Sequence, residues 1–180
     1  MRKTFEYSHL GGAEILHERF GNLDSDIDKV IASATPQKTK KSREKNKMGK
    51  MLYNPTQLNK HFKELFRSYG WSELRDRFTI EIPQYPLKVK GAYKQVDFRK
   101  DEVLYEVQLG KYAFMFYDLA KFQYFYNKGQ AKVGVEIVPS HSLKKEMSSG
   151  VSFGEQLIYD LNRIGRNFPQ VPVKVILVES

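Results

Sequence analysis

Seventeen residues, Gln95 to Lys111 (QVDFRKDEVLYEVQLGK), limit what this chain can become more than any other stretch. Two runs of strand-forming residues, Gln95–Phe98 and Val103–Leu109, flank the charged turn Arg99-Lys100-Asp101-Glu102. That pattern predicts a β-hairpin with an irregular loop. Strand side chains alternate, so Val103, Tyr105, Val107 and Leu109 share one face and Leu104, Glu106 and Gln108 the other. Glu106 and Gln108 then stand side by side, roughly 6.5–7 Å apart along the strand. Asp97, in the partner strand, reaches the same face. Carboxylates from two strands meeting at one spot, with the Val107 carbonyl between them, make an all-oxygen set. A hard divalent cation such as Mg²⁺ takes such ligands and keeps waters that leave room for a phosphate. The same residues also fit the solvated face of an edge strand, because Asp…Glu-x-Gln is a short pattern. Two neighbours favour the site: the strand enters the most apolar part of the chain, and the cation Lys111 follows at its end.

With 180 residues, 41% of them hydrophobic, the chain reads most simply as one domain with a full core, residues 1–180. No apolar run approaches the ~20 residues of a membrane span, and MRKTFEYSHLGG lacks the apolar centre of a signal peptide. The absence of cysteine excludes disulfides and thiolate-bound zinc and suits the cytoplasm. The four histidines, His9, His17, His61 and His141, are too scattered to predict a metal site. A net charge of +9 favours a polyanionic partner.

Taken in order, Glu6–Phe20 is weakly helical and broken at Gly11-Gly12. Asp24 is placed to cap a second helix, whose stripe is Ile27, Val30, Ile31 and Ala34 and whose end is Pro36. Residues 37–50 (QKTKKSREKNKMGK) carry Lys38, Lys40, Lys41, Arg43, Lys45, Lys47 and Lys50 against one acid, Glu44. With almost nothing apolar to anchor it, this reads as a mobile basic segment, either a solvated linker or an arm that tracks a phosphate backbone. Asn54-Pro55 opens a helix with a buried stripe of Leu58, Phe62, Leu65, Phe66 and Tyr69, and Gly70 stops it. Trp71 is expected in the core. Glu73 and Asp76 are expected in surface ion pairs, and Phe78–Ile82 in a short strand broken by Pro83 and Pro86. Tyr112–Asn127 is a helix so aromatic that more than one face should be covered, with Asp118, Lys121 and Gln123 as its polar relief. Ala131–Pro139 is a buried strand that completes a parallel βαβ unit. His141–Gly150 is expected as a loop, Ser152 and Glu155 as a capping box for a helix running to about Gly165, and Val171–Val178 as a last strand.

These residues resemble the core of the PD-(D/E)XK nucleases, and more closely the type II restriction endonucleases of the BstYI and BglII group. The resemblance rests on Tyr7-Ser8-His9-Leu10, GKMLYNP at 49–55, Gly70-Trp71, VDFRKDEVLYEVQLGKY at 96–112, VGVEIVP at 133–139 and KEMSSGV at 145–151, and so covers most of the chain. It implies an α/β fold, a restriction-endonuclease-like core with a mixed β-sheet flanked by α-helices on both faces. It implies a homodimer on palindromic double-stranded DNA, Mg²⁺ as cofactor, and cleavage at GATC-centred sites with 5′ overhangs. On this carry-over Asp97 and Glu106 bind metal and Gln108 positions the attacking water or the metal shell. Lys111 falls where the group contacts bases, and Ser148 and Ser149 fall in a recognition loop. Lys144 and Lys145 are expected on phosphates, which position without specifying.

Gln108 stands where most of the superfamily has a catalytic lysine. An amide has no useful pKa, so general-base catalysis by this side chain is implausible; the BglII-like group shares the glutamine. With no lysine or histidine base in view, metal-activated water is the expected nucleophile. The connection between Arg77 and Val96 looks shorter than in the group. Two other readings fit the same residues, a repair nuclease on this core and a non-catalytic DNA-binding domain.

Overall fold

The computed structural model describes residues 1–180. The chain runs through β1 (Arg2–His9), α1 (Gly12–Ser33), β2 (Lys38–Lys41), β3 (Met51–Tyr53), α2 (Pro55–Ser68), β4 (Ser72–Glu81), β5 (Lys88–Lys100), β6 (Val103–Val107), α3 (Tyr112–Asn127), β7 (Val133–Pro139), α4 (His141–Lys145), α5 (Gly154–Ile164) and β8 (Val173–Glu179). Six strands form one mixed sheet in the order β1-β8-β7-β6-β5-β4. β6, β7 and β8 are parallel, while β1, β5 and β4 run antiparallel to their neighbours. The β6-α3-β7 unit is therefore the parallel crossover that the sequence predicts.

The alternation of β6 divides the core in two. Val103, Tyr105, Val107 and Leu109 join α1 and α2 in one apolar cluster, while Leu104 joins Met115, Leu119, Phe122 and Phe125 of α3 in the other. Behind β6, Phe66 of α2 lies 4.5 Å from the Tyr105 ring, 4.7 Å from Phe98 and 5.8 Å from Trp71, centroid to centroid. Such pairs add ~0.5–1.5 kcal/mol each beyond area burial. The knot fixes the hairpin's apolar face, and the alternation then turns Glu106 toward α3. α2 begins and ends as predicted: the Asn54 side chain accepts from the Thr56 N–H, and Trp71 is buried.

Several local expectations are corrected. Arg2–His9 is an edge strand on β8, not helix, and α1 is one helix with non-helical torsions at Phe20. Asp24 lies inside it and caps nothing; its carboxylate instead meets the buried Lys174 at 2.7 Å. The hairpin turn is tighter than expected, since Lys100 pairs with Val103 and leaves Asp101-Glu102 as the loop, Asp101 at φ +53°. The strand placed at Phe78–Ile82 begins at Ser72 and ends at Glu81, where it pairs with Lys88. Residues 141–150 open with the short helix α4, capped by Ser140. Phe153, not Ser152, precedes α5, and Glu155 accepts from the His141 N–H instead of closing a capping box.

Residues 37–50 form β2, a 3₁₀ turn and the approach to β3. Its anchors are polar, which an apolar census cannot see. Lys47 Nζ donates to the carbonyls of Lys145 (2.9 Å) and Met147 (2.6 Å), and Lys40 Nζ to Ser148 Oγ (2.7 Å). Glu44 accepts from the Ser149 N–H at 3.0 and 3.1 Å, and Lys38 pairs with Glu146.

α3 lies close over the sheet because β7 carries Gly134 beneath it. A Cβ there would meet the buried Phe122 ring at 2.5 Å. Gly134→Ala is expected to destabilise the fold by about 1–3 kcal/mol and to lift α3 from β6. Urea unfolding followed by circular dichroism measures the first effect.

Candidate active site

The hairpin brings Asp97 and Glu106 abreast: Phe98 pairs with Tyr105, and the Asp97 N–H donates to Glu106 Oε1 at 3.3 Å. Glu106 is buried. Gln108 continues the ladder through its N–H to the Ile137 carbonyl at 2.9 Å, and its side-chain amide donates to Asp118 Oδ2 of α3 at 2.9 Å. Asp118 Oδ1 accepts from Lys121 Nζ at 2.7 Å, and the same ammonium bonds Glu106 Oε1. On β7, Glu136 pairs in register with Glu106 and is fully buried, and neither of its carboxyl oxygens has a partner.

Three buried carboxyl groups thus cluster here, two of them bonded to one ammonium. Burial pushes Glu106 well above the usual carboxylate range; the charges of Asp118 and Asp97 push the same way and Lys121 pulls against them. Burial likewise raises Asp118, although Lys121 and Gln108 oppose it. Burial works against the charge on Lys121, yet Glu106 and Asp118 outweigh it and raise its pKa. Glu136 is raised well above its ordinary value by burial first, then by Asp118 and Glu106.

Asp97 opens onto solvent on two sides. One cleft, of about 250 Å³, is lined by Asn59, Lys60 and Lys63 of α2 with Asp97, Phe98 and Val107. The other, of about 400 Å³, is lined by Tyr93, Gln95, Asp97, Tyr117 and Lys121. Asp97, Glu106 and the Val107 carbonyl are all-oxygen donors that suit a hard divalent ion. The orphaned oxygens of Glu136 lie on the strand beside Glu106, where a bound cation would offset the burial of these carboxyl groups. No three Asp, Glu or His side chains converge in ligand geometry, so two carboxylates, a carbonyl and water would complete the shell.

The other predicted residues bond elsewhere. Lys111 is exposed at the start of α3, and the neighbouring Gly110 carbonyl accepts from the Ser152 N–H at 2.8 Å, which ties this corner to the 144–152 segment. Ser148 and Ser149 are held by Lys40 and Glu44, and Lys144 Nζ lies 5.9 Å from the Phe153 ring centre. The side chains of Lys111, Lys144 and Lys145 bond no carboxylate in the cluster. Glu73 and Asp76 form ion pairs with Arg75 and Lys128, as expected.

Sequence reasoning missed Asn59, Lys60, Lys63 and Glu136, and named Asp118 and Lys121 only as polar relief. A signal existed for three of these. Asp118 and Lys121 are the only charged residues inside the aromatic helix, three apart, and Glu136 is the only one inside VGVEIVP. Lys121 stands at the site as an ammonium bonded to two carboxylates, not as a base.

A mixed six-stranded sheet with helices on both faces, and two acidic residues on a central hairpin, define a restriction-endonuclease fold. Two crystal structures share it. One is of the restriction endonuclease BglII complexed with a DNA 16-mer, at TM-score 0.77 and 21% identity, covering 100% of this chain and 78% of that one. The other is of free BglII, at TM-score 0.70 and 19% identity, covering 100% and 80%. No curated protein matches the chain. The profile of the family "Restriction endonuclease BglII/BglIII" matches residues 4–178. The chain belongs to that family and is a type II site-specific deoxyribonuclease. No helix is long and apolar enough to cross a membrane.

Glu136 gives a signed prediction. Its folded pKa lies above the unfolded value, so its contribution is fully present below the unfolded pKa and is lost as pH rises through the folded one. Glu136→Gln, which keeps the neutral form at every pH, is expected to leave Tm near wild type at pH 4 and raise it by a few degrees at pH 8. Calorimetry across that range checks it.

Proposed function

We propose that this protein is a Mg²⁺-dependent enzyme that hydrolyses phosphodiester bonds in double-stranded DNA at a short GATC-centred palindrome, leaving 5′ overhangs, and that it works in the cytoplasm as a homodimer. The observation that carries this reading is the pairing of Asp97 with Glu106 on the hairpin, with Asp97 also lining a cleft that holds Lys60 and Lys63. The complex of BglII with DNA supports the choice of substrate.

Asp97, Glu106 and the Val107 carbonyl hold the ion. When bound, the ion lowers the pKa of a water and neutralises charge growing on the phosphate. Gln108 donates to Asp118, which leaves its Oε1 to accept from the attacking water and orient it. Gly110 has no Cβ to crowd that oxygen, which would otherwise lie 2.7 Å away. Lys111 donates to guanine O6 or N7 in the major groove. Ser148 and Ser149 contact base edges from the 144–152 segment, and Lys144 and Lys145 hold phosphates. Lys41, Arg43, Lys45 and Lys50, the cations of the 37–50 ribbon with no partner in the fold, track the backbone.

Digestion of plasmid DNA with MgCl₂, followed by sequencing of the ends, tests the whole reading; discrete fragments with GATC overhangs are expected. A repair nuclease would give no discrete fragments, and a binding module none at all. Asp97→Asn and Glu106→Gln are expected to lower cleavage by about 100-fold or more while duplex binding in EDTA stays largely intact. Lys111→Ala is expected to lose about 1–3 kcal/mol of discrimination between cognate and random duplexes, with a smaller loss on random DNA. Titration of both duplexes separates base reading from phosphate contact.

A further inference from the structure

Lys121 is a costly residue to keep. Its side chain is 14% exposed, and it is held by two carboxylates that are themselves buried. Replacing a buried ionic cluster by apolar residues is often neutral or stabilising. An ammonium kept between both carboxylates at the edge of an open cleft has a role there that its burial alone does not explain.

Its geometry says what. Of three N–H donors, one goes to Glu106 Oε1 and one to Asp118 Oδ1, and the third has no oxygen partner. Lys121 also lines the 400 Å³ cleft with Asp97, Gln95, Tyr93 and Tyr117, so that donor has access to whatever enters beside Asp97. Asp118 holds Lys121 through Oδ1 and Gln108 through Oδ2, which couples α3 to the end of β6. Tyr117, its ring centre 5.8 Å from Lys121 Nζ, walls the cation on the helix side.

We propose that Lys121 is a catalytic residue for phosphodiester cleavage: it fixes Glu106 with one N–H and donates its free N–H to a non-bridging oxygen of the scissile phosphate, with Asp118 as the residue that positions it. This rests on the nuclease reading above. Lys121 gives and takes no proton. The oxygen of water bonds to phosphorus, one phosphorus–oxygen ester bond breaks, and the proton released by the water ends on the departing alcohol. The ammonium stabilises the charge that gathers on the phosphate meanwhile. A buried, pre-oriented charge is effective there because it need not reorganise.

The test compares Lys121→Met, Lys121→Arg and the double variant Asp118→Asn with Lys121→Met, which removes the carboxylate left unpaired if the single Met variant folds poorly. Cleavage of supercoiled plasmid in MgCl₂ is measured at saturating enzyme, and duplex binding in EDTA. Both Met variants are expected to slow cleavage by about 100-fold or more while binding changes by less than about threefold, and Lys121→Arg to recover about tenfold over Met. A purely structural role would not give rescue by a cation at unchanged binding. Cleavage by folded Met variants within about threefold of wild type, or equal loss in Arg and Met, would overturn the assignment. Wild-type protein that leaves the plasmid intact would overturn the nuclease reading and this residue's role with it.

Discussion

The structure depends on keeping Glu106, Asp118 and Glu136 together inside the protein. Carboxylates buried without compensation cost several kcal/mol each, and the fold answers with one ammonium, one amide and raised pKa values. Lys121 bridges Glu106 and Asp118, Gln108 takes the second oxygen of Asp118, and Glu136 has no partner at all. Everything around the cluster serves to hold this arrangement. The aromatic knot of Phe66, Trp71, Phe98 and Tyr105 fixes one face of the hairpin so that the acidic face must turn toward α3. Gly134 lets α3 come close enough for its charged pair to meet the strand.

The hairpin was legible in the sequence because its information is local. A period of two decides which of Val103 to Leu109 face the core, and the two apolar clusters divide as that period requires. The cap at Asn54, the burial of Trp71 and the β6-α3-β7 crossover were legible for the same reason. β1 was not. Its residues form a strand only because β8 offers an edge, and that pairing is invisible at a separation of more than 160 residues. Local turn signals also misled where a tertiary partner intervened: Asp24 found Lys174, and Glu155 found the His141 N–H.

The site was legible in part. Asp97, Glu106 and Gln108 come together through the hairpin and α3. Lys121 was hidden by its surroundings, because a helix apolar nearly all round gives no stripe by which to tell which face meets the sheet. Asn59, Lys60 and Lys63 come to Asp97 through the packing of α2, which their own stretch of sequence does not specify.

The ribbon of β2 and β3 sets a ceiling on one bulk property. Of the seven cations between Gln37 and Lys50, three are engaged by the 144–149 stretch: Lys38, Lys40 and Lys47. Only Lys41, Arg43, Lys45 and Lys50 are left to displace counter-ions from a nucleic acid. At a logarithmic slope of about 0.9 per charge, this element can account for no more than about 3.6 of the ionic-strength dependence per protomer. Any steeper dependence must arise from other cations, and spending those of the ribbon on DNA beyond that limit would release the very segment they hold.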